Sequence, residues 1–319
     1  MAKGKNIIIT GGAGFIGSRI CERLVGNNTV TIYDNFKRDA LRFTALRKNK
    51  NLRIIEGDVL DGAKLEDAMC GADIVIHCAA VAGIYSVGVN AGQTIKVNFL
   101  GLYNALESAV RKNVKLFMDF STSEVYGPFV FRGKESDSTT LGPVGEKRWI
   151  YAVSKLAGEH LAHTYSEEHG LGVVTIRPFN IYGPGQVGDG AVKEMVTKAL
   201  RGAPITVYND GTQIRAWCYI DDFIDAVIAA LEEKRAVGEV INIGNPREAV
   251  TVLQLAEEIR RRTGLQPDIL FREHPGPEVQ MRIPDIGKAG KLLGFSPRVS
   301  LGEGLDRSIA WYNKHLEQI

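Results

Sequence analysis

Two side chains four residues apart carry the first chemical signal in this sequence. Tyr151 and Lys155, in the run Tyr-Ala-Val-Ser-Lys, stand at i and i+4, on one face of one helix. A phenol ionises near pH ~10, too high for a base at neutral pH. A neighbouring ammonium favours the phenolate and lowers that value. A tyrosine so placed can take the proton of an alcohol while the alcohol carbon is oxidised. Upstream, Ser121-Thr122-Ser123-Glu124 closes a strand pattern, and the Thr122 hydroxyl is placed to share the alcohol's hydrogen bond. A lone Tyr-x-x-x-Lys is common by chance, so the reading needs an oxidant nearby.

The N-terminal segment points to one. The strand pattern Asn6–Thr10 runs into Gly11-Gly12-Ala13-Gly14-Phe15-Ile16-Gly17, which opens a helix. Glycine at such spacing makes a tight turn, lets backbone approach a pyrophosphate, and lets the helix pack close to the strand. The helix N-terminus then faces the anion. Asp34, followed by Asn35, ends the next strand, about 20 residues on, where an acid holds the adenosine ribose hydroxyls. An acid there repels a 2′-phosphate, so NAD is expected over NADP, with Lys37 and Arg38 tempering the preference. Asp58 and Val59 follow the third strand and should flank the adenine. Cys78-Ala79-Ala80 follow the fourth, where small residues let the dinucleotide lie close. Tyr151 and Lys155 then belong at the nicotinamide end. Lys155 is expected to hold the nicotinamide ribose, and the cofactor to accept the hydride.

Elements that position these groups follow from the hydrophobic pattern. Strands are expected at Asn6–Thr10, Thr29–Tyr33, Leu52–Glu56, Ile74–His77, Val114–Ser121 and Val173–Arg177. Helices are expected at Phe15–Val25, Lys64–Cys70, Val97–Lys112 and Tyr151–Glu168. Ile74–His77 has almost no polar alternation, as fits a strand buried on both faces. This rhythm predicts an α/β fold, a doubly wound parallel sheet covered on both sides. After Pro178 the rhythm breaks, with Gly and Pro clustered in Tyr182–Gly190. Helix Thr251–Thr263, strand Asp268–Phe271 and a last helix at Gly302–His315 predict a smaller, discontinuous module over the sheet's carboxyl edge. The expected division is 1–178 plus about 215–245 for the cofactor domain, and 179–214 plus 246–319 for the substrate domain.

Composition excludes several other classes. The 319 residues carry 39 Lys+Arg against 37 Asp+Glu, and 45% are hydrophobic, which excludes a disordered or collagen-like chain. The near-balanced charge points to neither a nucleic-acid nor a membrane partner. The apolar run near the N-terminus is only Ile7–Ile9, too short for a signal peptide. Cys21, Cys70, Cys78 and Cys218 show no metal-ligand spacing, so a cytoplasmic chain with free thiols is expected. His160, His163 and His169 follow Tyr151 without the carboxylate or cysteine pattern of a metal site. Trp149 and Trp217 read as core or pocket wall. Arg260-Arg261-Arg262 reads as an exposed helix end, where cations favour the dipole.

The chain resembles the extended short-chain dehydrogenases/reductases that act as nucleotide-sugar epimerases and dehydratases. The resemblance rests on TGGAGFIG (10–17), DV (58–59), HCAA (77–80), STSEVYG (121–127), YAVSK (151–155), RPFNIYGPG (177–185), NDGTQIRAWCYIDD (209–222) and GEVINIGNP (238–246). It implies an NAD-binding Rossmann domain, a small nucleotide-sugar domain and a homodimer formed through two helices per subunit. Members oxidise a sugar hydroxyl, usually at C4, and differ in what they do with the ketone. It places Arg215 and Arg282 on the diphosphate or beside the sugar, where a guanidinium fork suits phosphate. Asn180 should meet the diphosphate or sugar, and Thr206 and Tyr208 should line the base. Tyr85, Val192 and Arg148 complete the implied substrate set. UDP is the implied nucleotide.

Within that group the run Thr122-Ser123-Glu124 resembles UDP-glucuronate decarboxylases. So do Arg148-Trp149-Ile150-Tyr151, Asp189-Gly190 and Arg282-Ile-Pro-Asp285, whose Arg is implicated in catalysis there. A decarboxylase needs no acid for a leaving group, because the C4 ketone itself accepts the electrons when carbon dioxide departs. A 4,6-dehydratase typically has Asp after the catalytic Thr, where this chain has Ser123. A 4-epimerase and a dehydratase acting across C5–C6, with Glu124 as base, are the alternatives. The segment 81–88 departs from decarboxylases and is partly like uronate 4-epimerases. Those carry an Arg for the sugar carboxylate where this chain has Ile84.

Overall fold

The computed structural model describes residues 3–274 and 276–319; Met1, Ala2 and Pro275 lie outside it. In chain order the first strands and helices are β1 (Asn6–Thr10), α1 (Phe15–Leu24), β2 (Thr29–Asp34), β3 (Leu52–Glu56), α2 (Gly62–Ala68), β4 (Ile74–His77), α3 (Ile84–Val89), α4 (Ala91–Ile95), α5 (Gly101–Arg111) and β5 (Leu116–Phe120). Then come β6 (Phe129–Gly133), α6 (Ile150–His169), β7 (Gly172–Pro178), β8 (Ile181–Tyr182), α7 (Ala191–Leu200), β9 (Ile205–Tyr208), β10 (Ile214–Ala216), β11 (Cys218–Tyr219) and α8 (Ile220–Glu232). The chain ends with β12 (Val240–Ile243), β13 (Ala249–Thr251), α9 (Val252–Thr263), β14 (Ile269–Arg272), β15 (Met281–Pro284), α10 (Gly287–Leu293) and α11 (Leu301–Lys314).

Seven parallel strands form the main sheet in the order β12-β7-β5-β4-β1-β2-β3. The order reverses between β1 and β4, which opens a crevice at their carboxyl ends. Alternation along β1 shows why both faces are covered. Ile7 and Ile9 enter a core with Ile20 and Leu24 of α1 and Phe223 and Val227 of α8. Ile8 enters a second core with Leu65 of α2, Leu106 of α5 and Ala162 of α6. The doubly wound sheet expected from the sequence is therefore present. Its predicted strands and most predicted helices lie within two residues of their expected bounds.

One helix differs. The segment expected as Val97–Lys112 is already helical from Ala91, and residues Lys96–Leu100 widen into a π-helical turn before α5. Such turns concentrate at functional positions. Here the turn carries Asn98, whose role is described below. Gly101 begins α5 under Val59, where an added Cβ would lie 2.5 Å from a Val59 methyl.

A small four-stranded sheet, β13-β10-β15-β6, stands over the carboxyl edge of the main one. It draws β6 from the first half of the chain and β15 from near the end, paired in parallel. Helices α7, α9 and α11 pack beside it into the first core. Thr251 caps α9 through a reciprocal box with Gln254, and Ser300 caps α11 by accepting from the Glu303 N–H. No described helix is long and apolar enough to cross a membrane.

Candidate active site

The glycine loop is built on backbone contact. Gly11 has φ +68°, and a Cβ on it would lie 2.5 Å from the Ala79 nitrogen, on the loop after β4. A Cβ on Gly17 would lie 2.5 Å from the Gly11 carbonyl oxygen. The loops after β1 and β4 thus touch through bare backbone. Gly14 caps α1 without a side chain, so no side-chain oxygen occupies the helix N-terminus. Phe15 and Ile16 pack half-buried against the core beside it. Asp34 is 8 % exposed and accepts the N–H groups of Ala13 (2.8 Å) and Phe36 (2.7 Å). Burial raises its carboxyl above the ordinary range despite those bonds. Asn35 donates to Asp58 at 3.3 Å, and Asp58 accepts the Leu60 N–H at 3.0 Å. Asp34, Asn35 and Asp58 therefore share one rim of the crevice. The Val59 side chain instead turns down into the core. Cys78 is half-buried at the crevice floor, its thiol pushed up by burial. The cradle that side chains would block, together with a buried acid at the end of β2, fits a dinucleotide.

Arg38 departs from its expected place. Its guanidinium leaves the β2 loop and donates to the Ala82 carbonyl (2.8 Å) and the Ser86 hydroxyl (2.9 Å). It also lies 3.7 Å from Asp189, which accepts the Ser86 N–H. One arginine thus ties three loops at the crevice mouth and is not directed at a ribose phosphate.

Tyr151 lies in the first turn of α6 and Lys155 one turn on, as their spacing requires. Thr122 caps the 3₁₀ turn Ser123–Tyr126 by accepting the Glu124 N–H at 3.2 Å, and its side chain hydrogen-bonds Tyr151. Ser123 is buried beside it. Asn98 was not anticipated. Its side chain accepts the Val81 N–H at 2.8 Å and donates to the Val81 carbonyl and the Ser154 hydroxyl, both at 3.1 Å. It therefore joins the loop after Ala80 to the helix of Tyr151. A polar residue inside the apolar run Val97–Leu100 was the one available signal.

The phenol's electrostatics correct the sequence reading. Burial, then the carboxylates of Glu124 and Asp119, push the Tyr151 pKa up; the Thr122 hydrogen bond and the Arg38 charge oppose them without prevailing. Lys155 is 4 % exposed, and burial lowers its own pKa. Spacing brought the pair together but did not show how deeply the helix face is buried.

A guanidinium cluster adjoins Tyr151. Arg148 grips both oxygens of Glu124, one at 2.8 Å, and lies over the Trp149 ring. Arg282, on β15, donates to Glu124 at 3.3 Å and to the Gly127 carbonyl at 3.1 Å, while its Nε has no partner among the described residues. Burial alone would raise the Glu124 carboxyl, but Arg282 and Arg148 outweigh it and hold it below the usual carboxylate range. Arg215, on neighbouring β10, donates among the described residues to the Ile214 (3.0 Å) and Val279 (2.5 Å) carbonyls. Burial, then Arg282, push it down to about 9. Glu278, which sequence reasoning missed, accepts from Asn209 (2.5 Å) and Gln213 (2.6 Å), and its charge reaches Arg148 and Arg215.

The other expected substrate residues are dispersed. Tyr85 is 76 % exposed on α3 and stands in solvent. Val192 is buried in the first core, so it lines no cleft. Asn180, at φ +44°, donates to the Ala216 carbonyl at 3.1 Å and so couples β8 to β10. Thr206 accepts from Lys198 at 3.0 Å, and Tyr208 is exposed against His274. No group of three or more His, Cys, Asp or Glu among the described residues could hold a metal ion.

Comparison with known proteins follows this geometry. The NAD dependent epimerase/dehydratase family matches residues 7–244. A UDP-N-acetyl-alpha-D-glucosaminuronate decarboxylase of Bacillus cytotoxicus is 35% identical, covering 97% of this chain and 98% of its own. A UDP-glucuronic acid decarboxylase 1 of Xenopus tropicalis is 34% identical over 98% of this chain and 73% of its own. The crystal structure of a UDP-glucuronic acid 4-epimerase from Bacillus cereus, in complex with UDP-glucuronic acid and NAD, superposes with a TM-score of 0.87 at 33% identity. It covers 97% of this chain and 99% of that one. A crevice that fits a dinucleotide, a sheet that superposes on an NAD-bound relative and a match over most of the length agree: the chain belongs to the NAD dependent epimerase/dehydratase family.

Proposed function

We propose that the protein decarboxylates a UDP-linked sugar acid of the UDP-glucuronate type after oxidation at C4. The observation that carries this reading is the ionised Glu124 held by Arg148 and Arg282 beside Tyr151. A carboxylate so held is a poor acid for a C6 leaving group, which argues against dehydration. The guanidinium cluster around it is suited to a second anion, the sugar carboxylate. Arg215, which forms no salt bridge among the described residues, is suited to the diphosphate. The decarboxylases of Bacillus cytotoxicus and Xenopus tropicalis support the same class of substrate.

Residues of this chain divide the work as follows. Thr122 and Tyr151 hold the C4 hydroxyl, and Tyr151 removes its proton. NAD, when bound, supplies the hydride acceptor for that carbon. Lys155 holds the nicotinamide ribose and keeps a positive charge near the phenol. The C4 ketone lies β to the carboxylate. The C5–C6 bond pair then moves onto C5 and the ketone oxygen as carbon dioxide leaves. Thr122 and Tyr151 hydrogen-bond that oxygen as its charge grows, and protonation at C5 gives a 4-keto pentose. Four unpaired cysteines suit a reducing, cytoplasmic setting.

A 4-epimerase is the second reading, favoured by the Bacillus cereus neighbour. Mass spectrometry after incubation with UDP-glucuronate, UDP-N-acetylglucosaminuronate, UDP-glucose and UDP-N-acetylglucosamine separates the two. Loss of about 46 mass units from a uronate, carbon dioxide plus the two hydrogens removed by the oxidation, is expected for the 4-keto pentose, and about 44 where the hydride is returned to C4; loss of about 18 would mean dehydration, and unchanged mass with altered NMR couplings would mean epimerisation.

The assembly belongs to this reading too. Leu100 and Tyr103 near α5 and Val153 on α6 expose apolar surface on adjacent helices, which suits a second copy of the chain. Sedimentation should give a dimer, and Tyr103→Asp with Leu100→Asp a monomer. A monomer in the unsubstituted protein overturns the dimer.

A further inference from the structure

Beneath the Tyr151–Lys155 face of α6 lies a cluster of buried polar groups that the proposed reaction does not use. Asp119, on β5, is 1 % exposed, and neither of its carboxylate oxygens has a hydrogen-bond partner among the described residues. Its in-register neighbours are His77 on β4 and Thr175 on β7. Both are fully buried, and His77 Nε2 and Thr175 Oγ1 are likewise unpartnered. Ser121 lies just past the end of β5, two residues after Asp119 and hence on the same face, and its hydroxyl is unpartnered as well. Neighbouring strands run about 4.8 Å apart, so these atoms face one small space. Lys155 approaches from α6, its charge acting on both His77 and Asp119, yet it makes no direct ion pair with Asp119.

We propose that Asp119 is a positioning residue for Lys155: through ordered water shared with His77, Thr175 and Ser121, its carboxylate keeps the Lys155 ammonium protonated and in place. Such water needs two to four polar partners, which these unpartnered groups provide. The other charged and titratable groups facing Lys155 cannot take this part. Glu159, one turn along α6, is committed to Arg177 through two hydrogen bonds of 2.8 and 2.7 Å. His77 bonds Thr10 through Nδ1 at 2.8 Å and is neutral, because burial and the Lys155 charge push it down to about 3. Burial keeps the Cys78 thiol protonated. Asp119 is pushed up to about 6 by burial, so it is ionised above that pH. The sign follows directly. Burial favours the neutral amine at Lys155, and Asp119 opposes it. Removing the carboxylate lets the amine lose its proton at lower pH.

This inference rests on the Tyr151–Lys155 reading for its consequence in catalysis, but its first test does not depend on turnover. Protein labelled with ¹³Cε-lysine, with and without NAD, is titrated by NMR, and Lys155→Met identifies the resonance. In Asp119→Asn and in Asp119→Leu the Lys155 titration should move down by about one pH unit, a tenfold loss of proton affinity. Because the Lys155 charge favours the phenolate, its earlier loss should move the rising limb of the kcat–pH profile to higher pH. Removing an unsatisfied buried carboxylate does not leave an unpaired partner charge in ion-pair contact, so both variants should fold. Thr175→Val, which removes a water partner and keeps the charge, should give a smaller shift of the same sign. An unchanged Lys155 titration in the three variants overturns the proposal, as does a loss of kcat that is uniform across pH. Failure of the hydride-transfer reading would appear elsewhere, as full turnover by Tyr151→Phe.

Discussion

Tyr151→Phe should lower kcat by about 10²–10⁴-fold, the usual worth of a positioned general acid or base. NAD binding should be unchanged, because the cradle of Gly11, Gly17 and Asp34 does not involve the phenol oxygen. The size of the effect follows from how little else could replace that oxygen. Thr122 is hydrogen-bonded to it but is itself a weak base, and Glu124 is gripped by Arg148 and Arg282. His77 is held below the sheet edge against Thr10. The pH dependence has a definite sign. Burial, with Glu124 and Asp119, raises the phenol's pKa in the protein alone, so its basic form is favoured as pH rises. Positive charge on the oxidised nicotinamide opposes those carboxylates. The kcat of the unsubstituted protein should therefore climb with pH toward an alkaline plateau, and the residual rate of the Phe variant should lack that limb. Stopped-flow absorbance of NADH during a single turnover measures both. An unaltered burst in the Phe variant would assign the base to another group.

Glu159→Ala should destabilise the fold by about 3–5 kcal/mol, the cost of breaking one side of a buried ion pair. Glu159 on α6 and Arg177 on β7 have side chains 5 % exposed each and face one another as a fork. Arg177 also donates to the Tyr126 hydroxyl at 2.7 Å and lies over its ring. That hydroxyl meets Asn242 of β12 at 3.0 Å and the Lys134 carbonyl at 3.1 Å. One buried network thus fastens the catalytic helix, the main sheet and the segment leading from β6. With Glu159 gone, the guanidinium loses both carboxylate acceptors in a place water does not reach. Urea denaturation should show the midpoint falling with little change in slope. The pair Glu159→Leu with Arg177→Met should recover much of the loss, because it removes both charges rather than orphaning one. Equal stability of the Ala variant and the unsubstituted protein would mean that the network carries no net weight.

What the sequence revealed of this arrangement was mostly what the backbone demands locally. The loop Gly11–Gly17 was readable because close approach to Ala79 and to its own turn excludes side chains, and excluded side chains leave glycine behind. Tyr151 and Lys155 were readable because helical spacing alone aligns them. The main sheet was readable from strands buried on both faces. Other parts depend on partners far along the chain. Arg38 meets residues 44, 48 and 151 positions later, and nothing beside it announces Ala82, Ser86 or Asp189. Strands β6 and β15 are short and acquire meaning by pairing with each other and, for β15, with β10. Asp119 sits in a run that reads as an ordinary buried strand. Tyr85 and Val192 were drawn from family position, and the structure puts one in solvent and the other in the core. Spacing gave the phenol's neighbours in the helix but not the depth at which they lie, and that depth raises its pKa in the protein alone.

Arg215 has a final bearing on the protein as a whole. Its buried guanidinium donates to two carbonyls and forms no salt bridge among the described residues, and the charges of Glu278 and Glu124 do not outweigh burial and the neighbouring Arg282. A diphosphate bound there, as proposed, would supply the missing counter-charge, so UDP is expected to raise the melting temperature of the protein, and that of Arg215→Met less. Supply of such a ligand would then couple to how long the folded protein resists heat and proteases.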